Sequence, residues 1–368
     1  MKIAHIETSM DWGGQELRIV EQTEWLNQHG HPTWIVARPG AAIIKKAREK
    51  NLPVFELRVR GSVHPSTLKS LLQFLKQNQI QLLDCHGSRD SVYGALVKAL
   101  SGIKVIRSRH VTDPIKTSGL HGLVWRHGNH GIITTAKKIQ DMLEELGIPN
   151  RDKTLVAPAG VDPVRFTASL DSQALRRELG IPAEHMIIAN IGMIRPDKGQ
   201  NYYIDACKTL LDKGLPLTCI QVGEATGQTA EFKAQVLAAA QPYLGQQIRF
   251  LGYHNDIENY LALADIVVIA SVATEAQTRL VAQAFFMQKN IVATTTGGLP
   301  EMIQHEKTGL LCPPRDANAL AHAIERLVEN PSLKTELQQH ALQHAQQFMT
   351  FDYMMQEMVN FYQDTLQR

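Results

Sequence analysis

The sequence predicts an α/β protein with two doubly wound parallel sheets in separate domains. Short β-branched apolar runs alternate with longer amphipathic segments through most of the 368 residues, as in successive βαβ units. This length exceeds what one hydrophobic core usually supports, which favours two domains. The alternation breaks at Pro158, Gly160 and Pro163 and resumes after a polar stretch that ends near residue 184.

Each series of apolar runs is long enough to form its own sheet. The first series predicts strands at 2–8, 32–38, 53–58, 80–85, 103–108, 130–134 and 153–157, with helices between them such as 14–28 and 66–78. The second series predicts strands at 186–192, 217–223, 247–251, 265–270 and 290–294. After about residue 312 only helical patterns follow, at 316–329, 332–348 and 351–366. The last segment is too apolar for a solvated tail, so we expect it to pack against a domain.

Composition excludes several classes of protein. The formal net charge of +2 disfavours a dedicated nucleic-acid binder, and the four cysteines form no C-x-x-C pair that would suggest a zinc site or a disulfide framework. No stretch of eighteen apolar residues predicts a membrane span, and the N-terminus has the pattern of a first strand rather than a signal peptide. We therefore expect a cytoplasmic protein, at most peripheral to the inner face of the plasma membrane.

The near-neutral total conceals two oppositely charged halves. Residues 1–168 hold 23 Lys and Arg against 15 Asp and Glu, a balance of +8, whereas residues 169–368 hold 15 against 21, a balance of −6. A basic half can attract an anionic acceptor or anionic lipid. An equally open alternative is that the opposite charges do no more than favour closure of the two domains.

The segment 265–301 carries the clearest pattern for chemistry. A strand from Asp265 to Ser271 leads into a polar loop with Glu275, and a helix follows from about residue 277. Unpaired N–H groups at a helix start can hold a diphosphate, and Glu275 beside it could accept hydrogen bonds from sugar hydroxyls. Alternatively, Glu275 would only stabilise the helix dipole.

A second loop, from Gly192 to Gly199, also joins a predicted strand to a helix. It contains Arg195 and Lys198, whose positive charges could neutralise a diphosphate leaving group as a bond to it breaks. Alternatively, both are surface residues that bind no ligand.

Three features of the first half lie at predicted strand ends, where ligands bind in parallel sheets. Gly13 and Gly14 follow the first strand and would permit close approach of a ligand and unusual dihedral angles, although G-x-G-x-x-G is absent, which weakens a dehydrogenase interpretation. His86 and His110 end two other strands. Arg107 and Arg109 nearby could address an anionic acceptor.

Taken in order along the chain, these motifs resemble the retaining GT-B glycosyltransferases of family 4, also called glycosyl transferases group 1. This family includes many lipopolysaccharide, capsule and phosphoinositol mannosyl enzymes. The resemblance covers nearly the whole chain and rests on these segments: Lys198-Gly199, Ala264 to Ser271, Glu275, Asn290 to Thr294 and Gly297 to Glu301.

The resemblance implies two facing domains and a hexosyl- or heptosyltransferase that moves a sugar from a nucleotide diphosphate to a glycolipid, lipopolysaccharide-core or polysaccharide hydroxyl. Residues 1–168, with a return helix at 349–368, would bind the acceptor, and residues 169–348 the donor. The segment 157–166 would be the hinge, and no metal or other cofactor is expected.

The same resemblance assigns the site residues. Arg195 and Lys198 would stabilise the leaving diphosphate, Glu275 would hold the sugar hydroxyls, and His110 would approach the transferred sugar. Further substrate contacts are expected from Gly13, Gly14, His86, Arg109, Thr278, Arg279, Leu280 and Gln283.

The second half of the sequence departs from the family pattern at three places. Gln283 stands where the family has a second Glu for the ribose hydroxyls, and Met193 occupies the usual place of the Arg. Ala276 to Arg279 replace a glycine-rich run, so Thr278 and Arg279 would assist with their side chains. Two alternatives therefore stay open: a sugar-nucleotide epimerase on the same scaffold, and a non-catalytic nucleotide-sugar-binding protein.

Overall fold

The computed structural model describes residues 1–61, 63–111, 115, 117–148, 151–273, 275 and 278–368. The chain divides into two compact units, one formed by Met1–Ala159 with Met354–Arg368 and the other by Gly160–Tyr353. This division falls at residues 159 and 353, whereas the limits predicted for the two functional domains, 168 and 348, stay a prediction.

Unit 1 is a seven-stranded sheet with helices in the connections between strands. Its strands are β1 (Ile3–Glu7), β2 (Thr33–Ala37), β3 (Val54–Glu56), β4 (Leu82–Cys85), β5 (Lys104–Arg109), β6 (Gly131–Thr134) and β7 (Thr154–Val156). Its helices include α1 (Gly14–Gln28), α2 (Ala42–Glu49), α3 (Pro65–Gln77), α4 (Ser88–Ser101), α5 (Gly119–His127) and α6 (Lys137–Glu145). The strand order is β3-β2-β1-β4-β5-β6-β7, and each neighbouring pair is parallel.

Unit 2 has a six-stranded sheet of the same kind. Its strands are β8 (Met186–Ile191), β9 (Leu217–Val222), β10 (Ile248–Gly252), β11 (Ile266–Ile269), β12 (Asn290–Thr294) and β13 (Leu310–Cys312), in the order β10-β9-β8-β11-β12-β13 with parallel pairing. Its helices include α7 (Gln173–Glu178), α8 (Gln200–Asp212), α9 (Ala230–Ala239), α10 (Ile257–Leu263), α11 (Arg279–Phe286), α12 (Leu299–Met302), α13 (Ala317–Glu329) and α14 (Pro331–Phe348).

The prediction of two doubly wound parallel sheets is confirmed. Strands β1, β4, β11 and β12 are buried along their whole length, as expected when helices cover both faces of a parallel sheet. Strand β13 was missed because it has only three residues and is followed directly by two prolines, too little for a periodic pattern to show.

The C-terminal helix α15 (Phe351–Gln367) packs on a sheet, as its apolar pattern predicted, and the sheet is that of unit 1, as the family resemblance implied. Met354, Met358 and Tyr362 are buried along one side of it. Residue 131 is a glycine because a Cβ there would lie 2.9 Å from the ring of Phe361. Close packing at these residues fixes the position of the helix on the first sheet.

Each sheet reverses its strand order once. The reversal lies between β1 and β4 in unit 1 and between β8 and β11 in unit 2. Loops that leave neighbouring strands in opposite directions at such a point open a crevice at the carboxyl edge, which is where doubly wound sheets bind ligands.

Candidate functional site

The reversal point of unit 2 brings together two of the predicted catalytic residues. Lys198 follows β8, Glu275 follows β11, and the Lys198 Nζ lies 2.6 Å from the Glu275 Oε2. The Ser271 hydroxyl donates to the same carboxylate oxygen at 2.8 Å. The side chain of Lys198 is 29% exposed and that of Glu275 only 7%. A buried carboxylate with a more accessible cation above it can offer both an acceptor and a positive charge to a ligand.

Gly199 determines the path of the chain after Lys198. Its φ of +68° is left-handed, and a Cβ on this residue would lie 2.1 Å from the Ala270 carbonyl oxygen at the end of β11. The Val272 N–H donates to the Asp197 carbonyl at 2.8 Å and joins the two loops again. Only glycine satisfies both the dihedral angle and the close approach.

Two further glycines hold the backbone of Glu275. The Gly298 N–H donates to the Glu275 carbonyl at 2.8 Å. Gly297 has a φ of +62°, and a Cβ there would lie 1.9 Å from the same carbonyl oxygen. The Gly-Gly pair of the segment 297–301 therefore places Glu275 through backbone contact, although the two lie more than twenty residues apart in sequence.

A cavity of about 240 Å³ opens beside this ion pair. Residues from the ends of β8 and β11 and from the start of α11 line it, among them Asn190, Gly192, Lys198, Glu275, Thr278 and Leu280. Thr278 caps α11, because its hydroxyl oxygen accepts the Leu280 N–H at 3.2 Å. That N–H is thus engaged within the protein, and the Thr278 hydroxyl proton stays available as a donor.

Three other residues predicted for the donor site do not line this cavity: Arg195, Arg279 and Gln283. Arg195 forms a two-point ion pair with Asp197, at 2.9 and 3.0 Å, and its side chain is 44% exposed. It does not line the cavity. Arg279 begins α11, and Gln283 lies one turn further along, where its side chain is buried. Ala276 and Gln277 lie outside the described residues.

The reversal point of unit 1 holds three histidines. His5 of β1 is in register with Asp84 of β4, and His86 and His110 follow β4 and β5. The His5 Nδ1 lies 3.0 Å from the His86 Nε2, and the His86 Nδ1 lies 3.0 Å from the His110 Nε2. We call His5, His86 and His110 the histidine chain. His86 and His110 were predicted as site residues; His5 was not, although its place on the central strand could have indicated it.

Asp84 is a buried carboxylate at the inner end of the histidine chain. The Ser108 hydroxyl donates to its Oδ1 at 2.8 Å, and the Tyr362 hydroxyl donates to its Oδ2 at 2.7 Å. Burial alone would raise the pKa of Asp84. The attraction of His86 and His5, which gain protons only in acid, and the two hydroxyl donors outweigh burial, so the pKa lies below its ordinary value. Asp84 is therefore a charged group inside unit 1.

All three imidazoles of the histidine chain are neutral at pH 7. Burial lowers the pKa of His86 to about 3, against the opposing effect of Asp84. Burial, with the neighbouring His86, puts the pKa of His110 well below its ordinary value, and burial also lowers the pKa of His5. Among the described residues, the ligand atoms of His5, Asp84 and His86 form a group that could hold a metal ion, because they lie within 4.8 Å of one another.

The structure corrects the role predicted for backbone conformation at Gly13 and Gly14. Gly13 has a φ of −157°, which is extended backbone that any residue adopts, and Gly14 also lacks a positive φ. Both glycines are exposed, and a Cβ on Gly14 would meet nothing within 4 Å. Unusual dihedral angles therefore do not explain this pair, and close approach of a ligand to it stays a prediction.

Arg107, which was suggested to address an acceptor, is buried against an aromatic ring, and its role stays a prediction. Its guanidinium lies 3.1 Å from the ring centre of Trp125, and burial, together with Arg109, lowers its pKa to about 9. Arg109 is more accessible and donates from Nε to the Val111 carbonyl at 2.9 Å. Of these two arginines, Arg109 is the more exposed.

Two carboxyl groups beside the histidine chain were missed. Burial and the charge of Asp90 raise the pKa of Glu7 to about 7, while burial raises that of Asp90 to about 6. Glu7 accepts hydrogen bonds from the Ser9 N–H and the Gln15 amide, and Asp90 accepts from the Thr8 hydroxyl at 2.5 Å. Glu7 ends β1, so its position at a strand end was the signal that could have found it.

The comparisons with known proteins identify the class of domain that this fold and site define. Residues 12–165 match the profile of Glycosyltransferase Family 4, and residues 185–330 match that of Glycosyl transferases group 1. The chain thus carries domains of the GT-B glycosyltransferases on both units.

Among curated relatives, the chain is 30% identical over 235 residues to a D-inositol 3-phosphate glycosyltransferase of Corynebacterium jeikeium, over 59% of this chain and 53% of that protein. It is 22% identical over 330 residues to an uncharacterized glycosyltransferase of Methanocaldococcus jannaschii, over 83% of each. The chain spans about half the length of the D-inositol 3-phosphate glycosyltransferases that it matches.

Solved structures show the same fold. A glycosyltransferase from Rickettsia africae matches with a TM-score of 0.88 at 20% identity, over 99% of this chain and 98% of that one. The Anabaena protein Alr3699/HepE in complex with UDP matches with a TM-score of 0.85 at 21% identity, over 99% and 100%. Among the described helices, none combines the length and the apolar character needed to cross a membrane.

Proposed function

We propose that this chain is a retaining glycosyltransferase that needs no metal and transfers a sugar from a nucleotide diphosphate to a hydroxyl group of an acceptor. The observation that carries the proposal is the contact between Lys198 and Glu275 beside a cavity at the reversal point of unit 2. The family profiles on both units and the names of the matched relatives support it.

In this proposal the diphosphate of the donor takes the place of Glu275 as the partner of Lys198. The ammonium group then stabilises the negative charge that develops on the leaving diphosphate, and the freed carboxylate accepts hydrogen bonds from sugar hydroxyls. The Thr278 hydroxyl donates to a phosphate oxygen from the start of α11. Retention of configuration follows from the family resemblance: the leaving phosphate takes the acceptor proton on the same face of the sugar.

Arg195 is proposed as a second cation for the diphosphate. Its Nε and Nη2 donate to Asp197, and the outer edge of the guanidinium, with Nη1, is proposed to donate to the phosphate. Gln283 is proposed to bind the ribose through its amide, which can both donate and accept. Arg279 stands at the start of the same helix and adds positive charge for the donor.

The donor and the acceptor are proposed from different observations. The matched Anabaena structure contains UDP, which favours a uridine diphosphate sugar as the first donor to test. The excess of eight positive charges in residues 1–168 favours an anionic acceptor, such as a glycolipid or a lipopolysaccharide-core saccharide. The relatives named for D-inositol 3-phosphate make inositol phosphate the competing anionic acceptor. Contact with a membrane surface and a cytoplasmic location stay predictions.

The test is release of nucleotide diphosphate from a panel of UDP, GDP and ADP sugars, each with inositol phosphate or with anionic glycolipid acceptors. We expect one donor and acceptor pair to turn over, at an unchanged rate with a metal chelator present. Lys198→Ala should lower kcat by about 100-fold or more, since it removes a charge that acts on the leaving group. Lys213→Ala is the matched control, because this lysine forms an exposed ion pair with Glu325 in the same unit.

The alternatives give different results in the same assay. A sugar-nucleotide epimerase would change the donor sugar with no acceptor present. A non-catalytic binding protein would be stabilised against heat by a nucleotide sugar and turn over none. If the Lys198→Ala and Glu275→Ala variants both turn over the substrates at the wild-type rate, the catalytic assignment is contradicted.

A further inference from the structure

The histidine chain of unit 1 contains two successive ring-to-ring hydrogen bonds that must run in the same direction. The ring centres are 5.2 and 5.3 Å apart, close to the nitrogen–nitrogen distance of 3.0 Å plus the radii of two rings. The rings therefore meet edge to edge, with an N–H of one ring directed at a lone pair of the next. A neutral imidazole has one N–H and one lone pair, so the position of one proton determines the position of all three.

The inner end of the chain selects the direction. The His5 Nδ1 faces the charged Asp84 carboxylate at 3.7 Å, and the His5 Nε2 is buried with no partner among the described residues. A proton on Nε2 would leave a buried N–H without a partner among the described residues. It would also turn the Nδ1 lone pair toward the carboxylate, which lies nearer to the His5 Nδ1, at 3.7 Å, than to the His86 Nε2, at 4.0 Å. Both contacts favour the tautomer of His5 with its proton on Nδ1.

We propose that His5 and His86 are positioning residues that hold His110 in the tautomer with its proton on Nδ1. The His5 Nδ1–H donates to the His86 Nε2, which places the proton of His86 on Nδ1. That N–H donates in turn to the His110 Nε2, so His110 bears its proton on Nδ1. His110 is half-buried, and none of the described residues pairs with its Nδ1.

The consequence is that unit 1 presents a neutral hydrogen-bond donor at the outer end of the chain. It would donate to an oxygen of the substrate and would act neither as a cation nor as a base. This consequence rests on the proposed glycosyl transfer, whereas the tautomer does not.

The geometry favours hydrogen bonds over a metal ion at the inner end. Two nitrogen ligands of a tetrahedral zinc ion lie about 3.3 Å apart, given Zn–N bonds near 2.0 Å. The His5 Nδ1 and the His86 Nε2 are 3.0 Å apart, and both oxygens of Asp84 already accept hydroxyl protons. Metal analysis of the purified protein should find less than one tenth of an equivalent of zinc. One equivalent, lost in His5→Phe, would overturn the proposal.

The direct experiment is long-range 1H–15N NMR of the full chain labelled at the histidine rings, at pH 7.5. We expect the resonances that disappear in His110→Gln to show a neutral ring with its proton on Nδ1. His130 is the internal reference, because its Nδ1 accepts the Val105 N–H at 2.9 Å and its proton must be on Nε2. A cationic His110, or one with its proton on Nε2, would overturn the proposal.

Two substitutions of His86 test whether the chain positions this proton. His86→Asn keeps an amide donor where the ring has Nδ1, so His110 should keep its tautomer. His86→Phe removes the donor, so His110 should shift toward the form with its proton on Nε2. If the His86→Phe variant folds and its His110 resonances are the same as in the wild type, the positioning role is contradicted. The wild-type spectrum decides the tautomer even if His86→Phe does not fold.

Once a substrate pair is known, His86→Phe should lower kcat about tenfold relative to His86→Asn, the equivalent of one hydrogen bond. The KM for the donor should change less than kcat. If the wild-type tautomer is as proposed but no glycosyl transfer is found, the proposed function fails and the assignment of the proton stands. Equal kcat values for the two variants would contradict the link between the tautomer and catalysis.

Discussion

Gly199 shows how one residue controls the position of a reactive side chain. It turns the backbone directly after Lys198 while its α-carbon packs against the Ala270 carbonyl. Gly214 has a similar φ of +78°, but a Cβ there would meet nothing within 4 Å. The pair therefore separates the effect of a left-handed backbone from the effect of close contact.

We expect Gly214→Ala to lower the free energy of unfolding by about 1–2 kcal/mol, the cost of left-handed backbone for an L-residue. Gly199→Ala should cost clearly more, because the added methyl group also displaces the end of β11. It should also abolish the protection of the fold by nucleotide diphosphate. Urea unfolding with and without UDP measures both effects, and equal losses for the two variants would contradict the contact.

Glu7 makes the stability of the protein depend on pH. Its pKa is raised from an ordinary value of 4.5 to about 7, because of burial and the charge of Asp90, so the native state binds this proton more tightly than the unfolded state. The stabilisation is complete below pH 4.5 and is lost as the pH rises to 7. The largest possible effect is about 3 kcal/mol.

Glu7→Gln mimics the protonated acid. Its melting temperature should match that of the wild type at pH 5 and exceed it at pH 8, because only the wild type then has a buried charge at residue 7. Glu49→Gln is the control, since Glu49 is exposed and pairs with Lys46 at the surface. A difference between Glu7→Gln and the wild type that does not grow between pH 5 and pH 8 would contradict a pKa of about 7 for Glu7.

Helix α15 contributes a functional group as well as apolar packing. The hydroxyl of Tyr362 is one of two that donate to Asp84, so the last helix of the chain helps to keep a charge inside the first sheet. Gln22 contacts the same helix, and its amide nitrogen lies 3.2 Å from the Met358 Sδ. Its attachment therefore depends on polar contacts at defined positions.

Tyr362→Phe should destabilise unit 1 by about 1–3 kcal/mol, because the buried Asp84 carboxylate loses a donor that nothing replaces. The control is Tyr353→Phe, at a residue of the same helix that is 40% exposed. Chemical unfolding at pH 7 measures the difference. A Tyr362→Phe variant as stable as Tyr353→Phe would show that Asp84 is not held as a charged group.

At the scale of the whole molecule, two units of one architecture differ in the groups at their reversal points. Unit 1 has neutral imidazoles with a buried carboxylate, and unit 2 has a lysine paired with a glutamate. The halves of the chain also differ in net charge, +8 against −6. This division suits a negatively charged acceptor on the first unit and a diphosphate bound locally by cations on the second.

Hydrogen exchange can test this division of labour. Saturating UDP should slow exchange of backbone amides in residues 192–200 and 278–286, and the effect should be much smaller in Lys198→Ala. Amides of β2 and β3, on the far side of the first sheet, serve as the reference because they should not change. Protection confined to unit 1 would place the nucleotide on the wrong unit.

The sequence by itself determined the architecture and most of the positions of the candidate site. Alternating apolar runs predicted twelve of the thirteen described strands, because burial of both faces of a parallel sheet leaves a strong local pattern. Glycine pairs and strand ends likewise marked Lys198, Glu275, His86 and His110. These are local signals, each contained within a few residues.

Only the tertiary structure decided which of these residues meet. It joined Lys198 to Glu275 and turned Arg195 to Asp197 instead of to the cavity. It also added His5 and Asp84 to the two predicted histidines, through the register of β1 and β4. Pairing, burial and protonation arise from neighbours that are distant in sequence, so no local pattern contains them.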